Sequence, residues 1–478
     1  MDLFGTAGIR GSAETAVTPA LALRVGRAVG ADGSEFVVGR DGRETGASLV
    51  SAVVAGLLSA GADVRELGMV PTPTLAYASR DRHGVQITAS HNPPEDNGIK
   101  VFEDGTEYDR EAERRIERRV DEDQSPVAWD QWGTRESETV LPDYRQAVIE
   151  YVRDRRVPSS HPTAEDRGQA EGRVDIDRAD GESTPPLSDH RVVVDCGNGM
   201  ASLATPSVLE SLGAEVVTLN ASIDGHFPGR PSKPTPETIE DLRAFLPKHE
   251  ALLGIAHDGD ADRIVIVDSE GDVVHEDTVV AIIAEYYVRS HGARDPVVVT
   301  TPNASGRIDE RVSAAGGRIE RVRLGALHEG IARVQRRGET VAFAAEPWKH
   351  IHPELGPWID GVSSAALLSV LAARAGGLGP LREPVALLPY RKVSVPCPDE
   401  AKEPAMDRLA ERLPDLYPEA SVSTDYGVRL DFADNSWLLV RPSGTEPYLR
   451  LYVESEDIDS LLGDVKGHLE DAVSSASS

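Results

Sequence analysis

Ser90 is the side chain of this sequence best placed to carry a covalent group. It stands in Thr88-Ala89-Ser90-His91-Asn92-Pro93-Pro94, a run that closes on Asn97-Gly98-Ile99-Lys100. The preceding Gly84-Val85-Gln86-Ile87-Thr88 is short, β-branched and mostly apolar, and predicts a strand ending where the serine begins. Asn-Pro-Pro cannot prolong that strand, because each proline lacks an amide donor and fixes its φ. The hydroxyl is therefore held on a rigid loop at a strand end, where α/β proteins place their chemistry, with His91 and Lys100 near it in sequence. The plain alternative is a serine in a proline-rich turn.

Asp258-Gly259-Asp260-Ala261-Asp262-Arg263 lies between the apolar segments Leu252 to Ala256 and Ile264 to Val267. Three carboxylates at alternate positions of a tight loop converge on one point and suit a hard divalent cation, Mg²⁺ above all. A calcium loop fails, because its glycine position is Arg263 and its bidentate glutamate position is Ser269. An acidic turn on an acidic protein is the alternative, but three acids between buried strands are costly without a cation. Arg441-Pro442-Ser443-Gly444-Thr445-Glu446-Pro447 combines an Arg fork, two hydroxyls and glycine-exposed amides, the makings of a phosphate-binding nest or of a simple Ser-Gly turn. In Ala345-Glu346-Pro347-Trp348-Lys349-His350, a carboxylate, a cation and an imidazole share one loop after the apolar Val341-Ala342-Phe343. They suit sugar hydroxyls, and equally a packed Trp348 with solvated neighbours. Phe4-Gly5-Thr6-Ala7-Gly8-Ile9-Arg10-Gly11 is glycine-rich with one Arg, but is neither a P-loop nor a dinucleotide fingerprint, so ATP and nicotinamide cofactors are not supported.

The elements that must position these loops repeat three times. Glu35 to Gly39, Arg191 to Asp195 and Pro296 to Thr300 read as strands. Each is followed by a small-residue helix (Thr45 to Ala60, Ala201 to Leu212, Ser305 to Ala315), then Gly61, Gly213 or Gly316, then a second strand. That is a βαβ unit with glycine at the helix C-terminus. The alternating acids and arginines of Asp109 to Val120 predict an exposed helix. The end of the chain changes character, with strands at Tyr390 to Val395, Ser436 to Val440 and Tyr448 to Glu454 and helices at Pro404 to Leu413 and Asp457 to Ala472. The expected fold class is α/β: three related mixed-sheet domains (1–141, 142–271, 272–380) and a smaller C-terminal α+β domain (381–478). The polar stretch 155–189 is expected to be a flexible acidic insertion in the second domain.

Eighty acidic against 50 basic residues give a net charge of −30, which argues against nucleic acid or an anionic membrane as partners. No apolar run is long enough to span a bilayer, and the N-terminus has no signal core, so a cytoplasmic enzyme is expected. Cys196 and Cys397 suggest neither a disulfide framework nor a metal site. Lysine is scarce, and an acid-rich, lysine-poor surface suits a halophile's salt-rich cytoplasm.

Together, and in this order, Phe4 to Gly11, the Ser90 loop, Asp258 to Arg263, the Glu346 loop and Arg441 to Thr445 resemble the α-D-phosphohexomutases, the family of phosphoglucomutases, phosphomannomutases and phosphoglucosamine mutases. Phe227-Pro228-Gly229-Arg230 and Pro234-Thr235-Pro236 also look like family sequence. The resemblance implies four domains around a central cleft, a phosphorylated Ser90, and Mg²⁺ held by Asp258, Asp260, Asp262 and a phosphoserine oxygen. It implies proton handling and phosphate contact by Lys100 and Arg10 beside Ser90 and His91, and a sugar phosphate touched by Arg263. Glu346, with Lys349 and His350, would hold sugar hydroxyls, and Arg441, Ser443, Gly444 and Thr445 the phosphate that is not reacting. His328 is a candidate for the family's histidine in the third domain, or a solvated histidine. The partner would be a small-molecule sugar phosphate, with a sugar 1,6-bisphosphate as activator, and the protein a monomer or homodimer. The family commonly reads Gly-Glu-x-Ser-Gly-His at the sugar loop; here only Glu346 is clearly kept, which leaves glucose, mannose, glucosamine and pentose phosphates open. The reaction expected is phosphoryl movement between the 1- and 6-positions of a hexose or hexosamine phosphate. The competing readings are a Mg²⁺-dependent sugar phosphatase and a non-catalytic sugar-phosphate binding protein.

Overall fold

The computed structural model describes residues 3–5, 8–153, 184–385, 387–443 and 446–476. Most of the expected insertion 155–189, and Gly444 and Thr445 of the expected phosphate loop, lie outside these residues. The chain folds as two compact units, one of Met1–Glu276 with Trp348–Leu381, the other of Asp277–Pro347 with Arg382–Ser478.

The first unit holds two mixed sheets. In one, the strand Glu35–Arg40 pairs in parallel with Asp63–Met69 and His83–Ile87. Asp96–Glu103 then runs antiparallel to His83–Ile87, and Ile9–Ser12 antiparallel to Asp96–Glu103. In the other, Arg191–Asp195 pairs in parallel with Glu215–Leu219 and Leu253–His257, and Ile264–Val267 returns antiparallel to Leu253–His257. The turn between those last two strands carries Asp258, Asp260 and Asp262. In the second unit Val297–Thr300 pairs in parallel with Arg318–Arg321 and Val341–Glu346. A five-stranded antiparallel sheet follows, in which Trp437–Pro442 and Tyr448–Glu454 flank the Arg441 turn. Helices Asp399–Leu416 and Ile458–Ala476 cover it, burying Leu409, Leu413, Val465 and Leu469 in one core with Leu438, Val440 and Leu451.

The three βαβ copies share their punctuation. Gly61, Gly213 and Gly316 sit at φ of 92°, 101° and 91°, the left-handed conformation that lets each helix stop and the chain turn into its second strand. The helices differ in quality: Gly46–Ser59 has 14 residues, whereas the second copy breaks into a 3₁₀ turn, Met200–Leu203, and the short Thr205–Ser211 around Pro206.

One expectation is corrected. The charged helix is found, at Arg110–Asp121, but it is not an exposed helix: Ala112, Ile116, Glu117 and Val120 are buried. Its apolar positions recur at helical spacing beneath the charges and join the core of the first sheet, while Glu117 accepts the amides of Leu3 and Phe4. Among the described residues no helix is long and apolar enough to cross a membrane.

Candidate active site

The Ser90 loop leaves its strand under strain. Ser90 is fully buried and adopts φ = 53°, a conformation a non-glycine residue keeps only where its surroundings over-determine it. Its amide donates to Thr88 Oγ1 at 2.9 Å, and Thr88 in turn donates to Asp41 Oδ2 at 2.7 Å. The Ser90 hydroxyl donates to Asp258 Oδ2 at 2.7 Å and lies 3.2 Å from His91 Nδ1. The serine loop and the acidic loop, separated by 168 residues, are thus brought to one point.

One carboxylate oxygen from each of Asp258, Asp260 and Asp262 lies within 4.8 Å of the others, and all three residues are buried. Lys100 Nζ donates to Asp262 Oδ2 at 2.8 Å and to Asp260 Oδ2 at 3.2 Å. Thr72 Oγ1 donates to Asp260 Oδ2 at 2.6 Å. Arg263 Nε stands 3.7 Å from Asp258 Oδ2 and 3.6 Å from Asp262 Oδ1. Burial, then the charges of Asp262 and Asp260, push the Asp258 carboxyl far above the usual carboxylate range. Burial also raises Asp262, but Lys100 and Arg263 outweigh it and leave its carboxyl lowered. Lys100 is opposed by its own burial, yet Asp260 and Asp262 hold its ammonium above the ordinary lysine range. The cations at hand cannot keep three carboxylates ionised together. Among the described residues, no hydrogen bond reaches Asp260 Oδ1 or Asp262 Oδ1, although both are buried. Two orphaned carboxylate oxygens beside a third, destabilised carboxylate fit a hard divalent cation.

The other residues singled out in the sequence divide between the two units. Arg10 pairs in register with Gly98 on the strand beside Lys100. His91 is pushed down to about 3 by burial and by the charges of Arg263 and Arg10, so it is a neutral imidazole. Lys349 forms a backbone bridge with Arg263, and its charge helps lower Asp262. His350 is buried, its Nδ1 3.0 Å from Ser364 Oγ, and burial pushes it down to about 3. In the second unit Glu346 accepts the Gly325 amide, and His328 is half-buried in the first turn of the helix Leu327–Arg336. Arg441 Nη2 donates to Tyr452 Oη at 2.9 Å, with its guanidinium 5.5 Å from that ring's centre. Ser443 is buried, and its amide donates to Tyr448 O at 2.9 Å.

Four residues of these sites have roles that a reading of the sequence does not assign. Arg43 donates to the carbonyls of Ser90 (3.0 Å), Asn92 (2.7 Å) and Asp96 (2.8 Å). Arg230, paired with Asp195 at 2.7 Å, donates to His257 O at 2.7 Å and so fixes the strand end from which Asp258 departs. Thr72 holds Asp260. Lys402 Nζ donates to the carbonyls of Ser443 and Glu446, both at 2.8 Å, from a helix 41 residues before the turn it straps. The sequence signals were an Arg in Asp41-Gly42-Arg43 directly after an apolar strand and Arg230 in the family-like Phe227-Pro228-Gly229-Arg230.

The chain matches the family model for phosphoglucomutase/phosphomannomutase domain I over residues 1–126, domain II over 175–271 and the C-terminal domain over 393–470. It is 41% identical over 462 residues to a phosphopentomutase of Thermococcus kodakarensis, covering 95% of this chain and 94% of that one. The chain belongs to the α-D-phosphohexomutase family. A probable phosphoglucosamine mutase of Methanopyrus kandleri is 40% identical over 464 residues, with 95% and 94% covered. A phosphoglucomutase/phosphomannomutase family protein of Burkholderia thailandensis superposes with a TM-score of 0.82 at 25% identity, over 99% of this chain and 97% of that one. The protein is accordingly an enzyme of the isomerase-class phosphotransferases, with mixed-sheet α/β domains and a separate C-terminal domain.

Proposed function

We propose that this enzyme is a Mg²⁺-dependent phosphosugar mutase that moves a phosphoryl group between the 1- and 6-positions of a hexose or hexosamine phosphate through phospho-Ser90 and a bisphosphate intermediate. The observation that carries the reading is the 2.7 Å contact between Ser90 Oγ and Asp258 inside a triplet of buried carboxylates. Asp258, Asp260 and Asp262, with an oxygen of phosphorylated Ser90, would hold Mg²⁺, which supplies charge neutralisation for the phosphoryl group.

In the first half-reaction the free hydroxyl of a sugar monophosphate attacks phospho-Ser90. The bond from phosphorus to Ser90 Oγ breaks, the new ester forms, and the hydroxyl proton passes to Ser90 Oγ or to solvent. Lys100, whose Nζ lies 3.2 Å from Asp260 and 2.8 Å from Asp262, handles the proton and, with Arg10, contacts the phosphate beside Ser90. Arg10 and neutral His91 flank Ser90, and Arg263 contacts the sugar phosphate. In the second half-reaction Ser90 takes the other phosphoryl group from the bisphosphate, and the isomer leaves. Glu346 and Lys349 hold sugar hydroxyls. His350, buried and 3.0 Å from Ser364 Oγ, is the third residue we assign to the sugar hydroxyls. Arg441, Ser443, Gly444 and Thr445 bind the phosphate that is not reacting, in either orientation of the sugar. A free sugar bisphosphate primes Ser90. A dedicated phosphatase has no need of such a two-way anion nest.

The relative named phosphopentomutase brings a pentose phosphate into the panel beside glucose, mannose and glucosamine phosphates. Phosphorus NMR on these sugar 1-phosphates, with Mg²⁺ and a trace of bisphosphate, tests the proposal. Conversion of the 1-phosphate signal to a terminal ester supports it and names the sugar. Growth of inorganic phosphate alone contradicts it.

A further inference from the structure

Arg43 is completely buried, and all five of its N–H donors are spent inside the protein. Nε goes to Asp41 Oδ2 at 3.1 Å. Nη1 goes to the carbonyls of Pro93 and Asp96, and Nη2 to those of Ser90 and Asn92. No donor remains for a substrate, so whatever Arg43 contributes passes through the loop it grips. Four of its five bonds end on carbonyls of the segment that bears Ser90. The fifth fixes Asp41, which accepts from Thr88, which accepts the Ser90 amide. The guanidinium thus closes a ring around a residue held at φ = 53°.

The opposite face of Arg43 meets the loop 224–230. Its guanidinium lies 5.1 Å from the centre of the Phe227 ring. Gly225 approaches so closely that an added Cβ would stand 2.8 Å from Arg43 Cα. Phe227 also lies close to the acidic loop: a Cβ on Gly259 would lie 3.4 Å from its ring and 2.6 Å from Ser90 O. One aromatic ring therefore stands beside both the arginine that shapes the serine loop and the loop that presents the carboxylates.

We propose that Arg43, braced by Phe227, is the positioning residue that fixes Ser90 Oγ against Asp258. The inference rests on the reading of Ser90 as the phosphoryl carrier. A buried arginine paired with an aspartate fastens loop carbonyls at two further places: in the second βαβ copy Arg230 with Asp195 holds His257 O, and Arg429 with Asp431, on a strand of the C-terminal antiparallel sheet, holds the carbonyls of Pro302 and Ala304. In the first copy the fastened loop carries the nucleophile.

Arg43→Lys tests the proposal, since an ammonium with three donors cannot span four carbonyls and a carboxylate. Phe227→Leu is the milder second variant, leaving the guanidinium in place. The measurements are kcat and KM for the mutase reaction, and amide hydrogen exchange across the full-length protein. The expected result for Arg43→Lys is a kcat about 100-fold lower with KM within about twofold, the size of loss a small misplacement of a reacting group produces. Amides of residues 88–97 should exchange about tenfold faster while those of 437–454 keep their wild-type rates. Phe227→Leu should shift both in the same direction by less, with its thermal midpoint near wild type. Wild-type kcat per folded molecule in both variants overturns the positioning role, and unchanged exchange over 88–97 overturns the clamp itself. If the wild-type protein moves no phosphoryl group, the Ser90 reading has failed, and the exchange result still decides the clamp on its own.

Discussion

Asp258 carries the electrostatic problem of the site. Fully buried beside Asp260 and Asp262, its carboxyl is driven toward the neutral form, and a divalent cation is what would keep it ionised. Mg²⁺ at about 100 times its dissociation constant should then add about 2.7 kcal/mol of stability, read as a higher Tm that chelation reverses. Asp258→Ala should abolish that shift; an equal Mg²⁺ shift in the variant would remove Asp258 from the metal site. His350 makes a separate statement about pH. Its folded value of about 3 lies below the unfolded 6.5, so between these values the unfolded chain binds a proton that the folded chain refuses. Stability therefore falls as pH falls through this window, by about 2 kcal/mol from this residue at pH 5. His350→Gln should show a shallower loss of Tm between pH 7 and pH 5, and an unchanged slope would contradict the neutral, buried imidazole.

The elements decide how much could be read in advance. The Ser90 loop and the acidic turn were legible because each signal is local: a strand followed by a proline pair in the first, alternate aspartates between two apolar segments in the second. The three βαβ copies were legible because each repeats its strand, helix and glycine. What was not legible depends on partners far along the chain. Arg43 and Arg230 act on carbonyls, which leave no mark in a sequence, and Lys402 reaches the Ser443 turn from another helix. The helix Arg110–Asp121 misled because its charges outnumber the four positions it buries. At the Arg441 turn, between two strands of the antiparallel sheet, Arg441→Ala should raise KM by about 10- to 150-fold, the ~1.5–3 kcal/mol of a charged hydrogen bond, with a smaller change in kcat. An unchanged KM would remove this turn from phosphate binding.

At the scale of the whole molecule, a net charge of −30 sets the conditions under which every site works. Self-repulsion of that size weakens the folded state at low ionic strength and is screened at high salt. Tm should rise steeply from low salt to molar salt, and a flat profile would contradict adaptation to a salt-rich interior. The central claim is that Ser90 carries the phosphoryl group between substrate and product, and peptide mass mapping tests it most directly. Wild-type protein treated with sugar bisphosphate and Mg²⁺ should gain one phosphoryl group on Ser90 and lose it when chased with the sugar monophosphate. Ser90→Ala should gain none and lose turnover by roughly 1,000-fold or more. A phosphoryl group found elsewhere, or undiminished turnover without Ser90, would contradict the account.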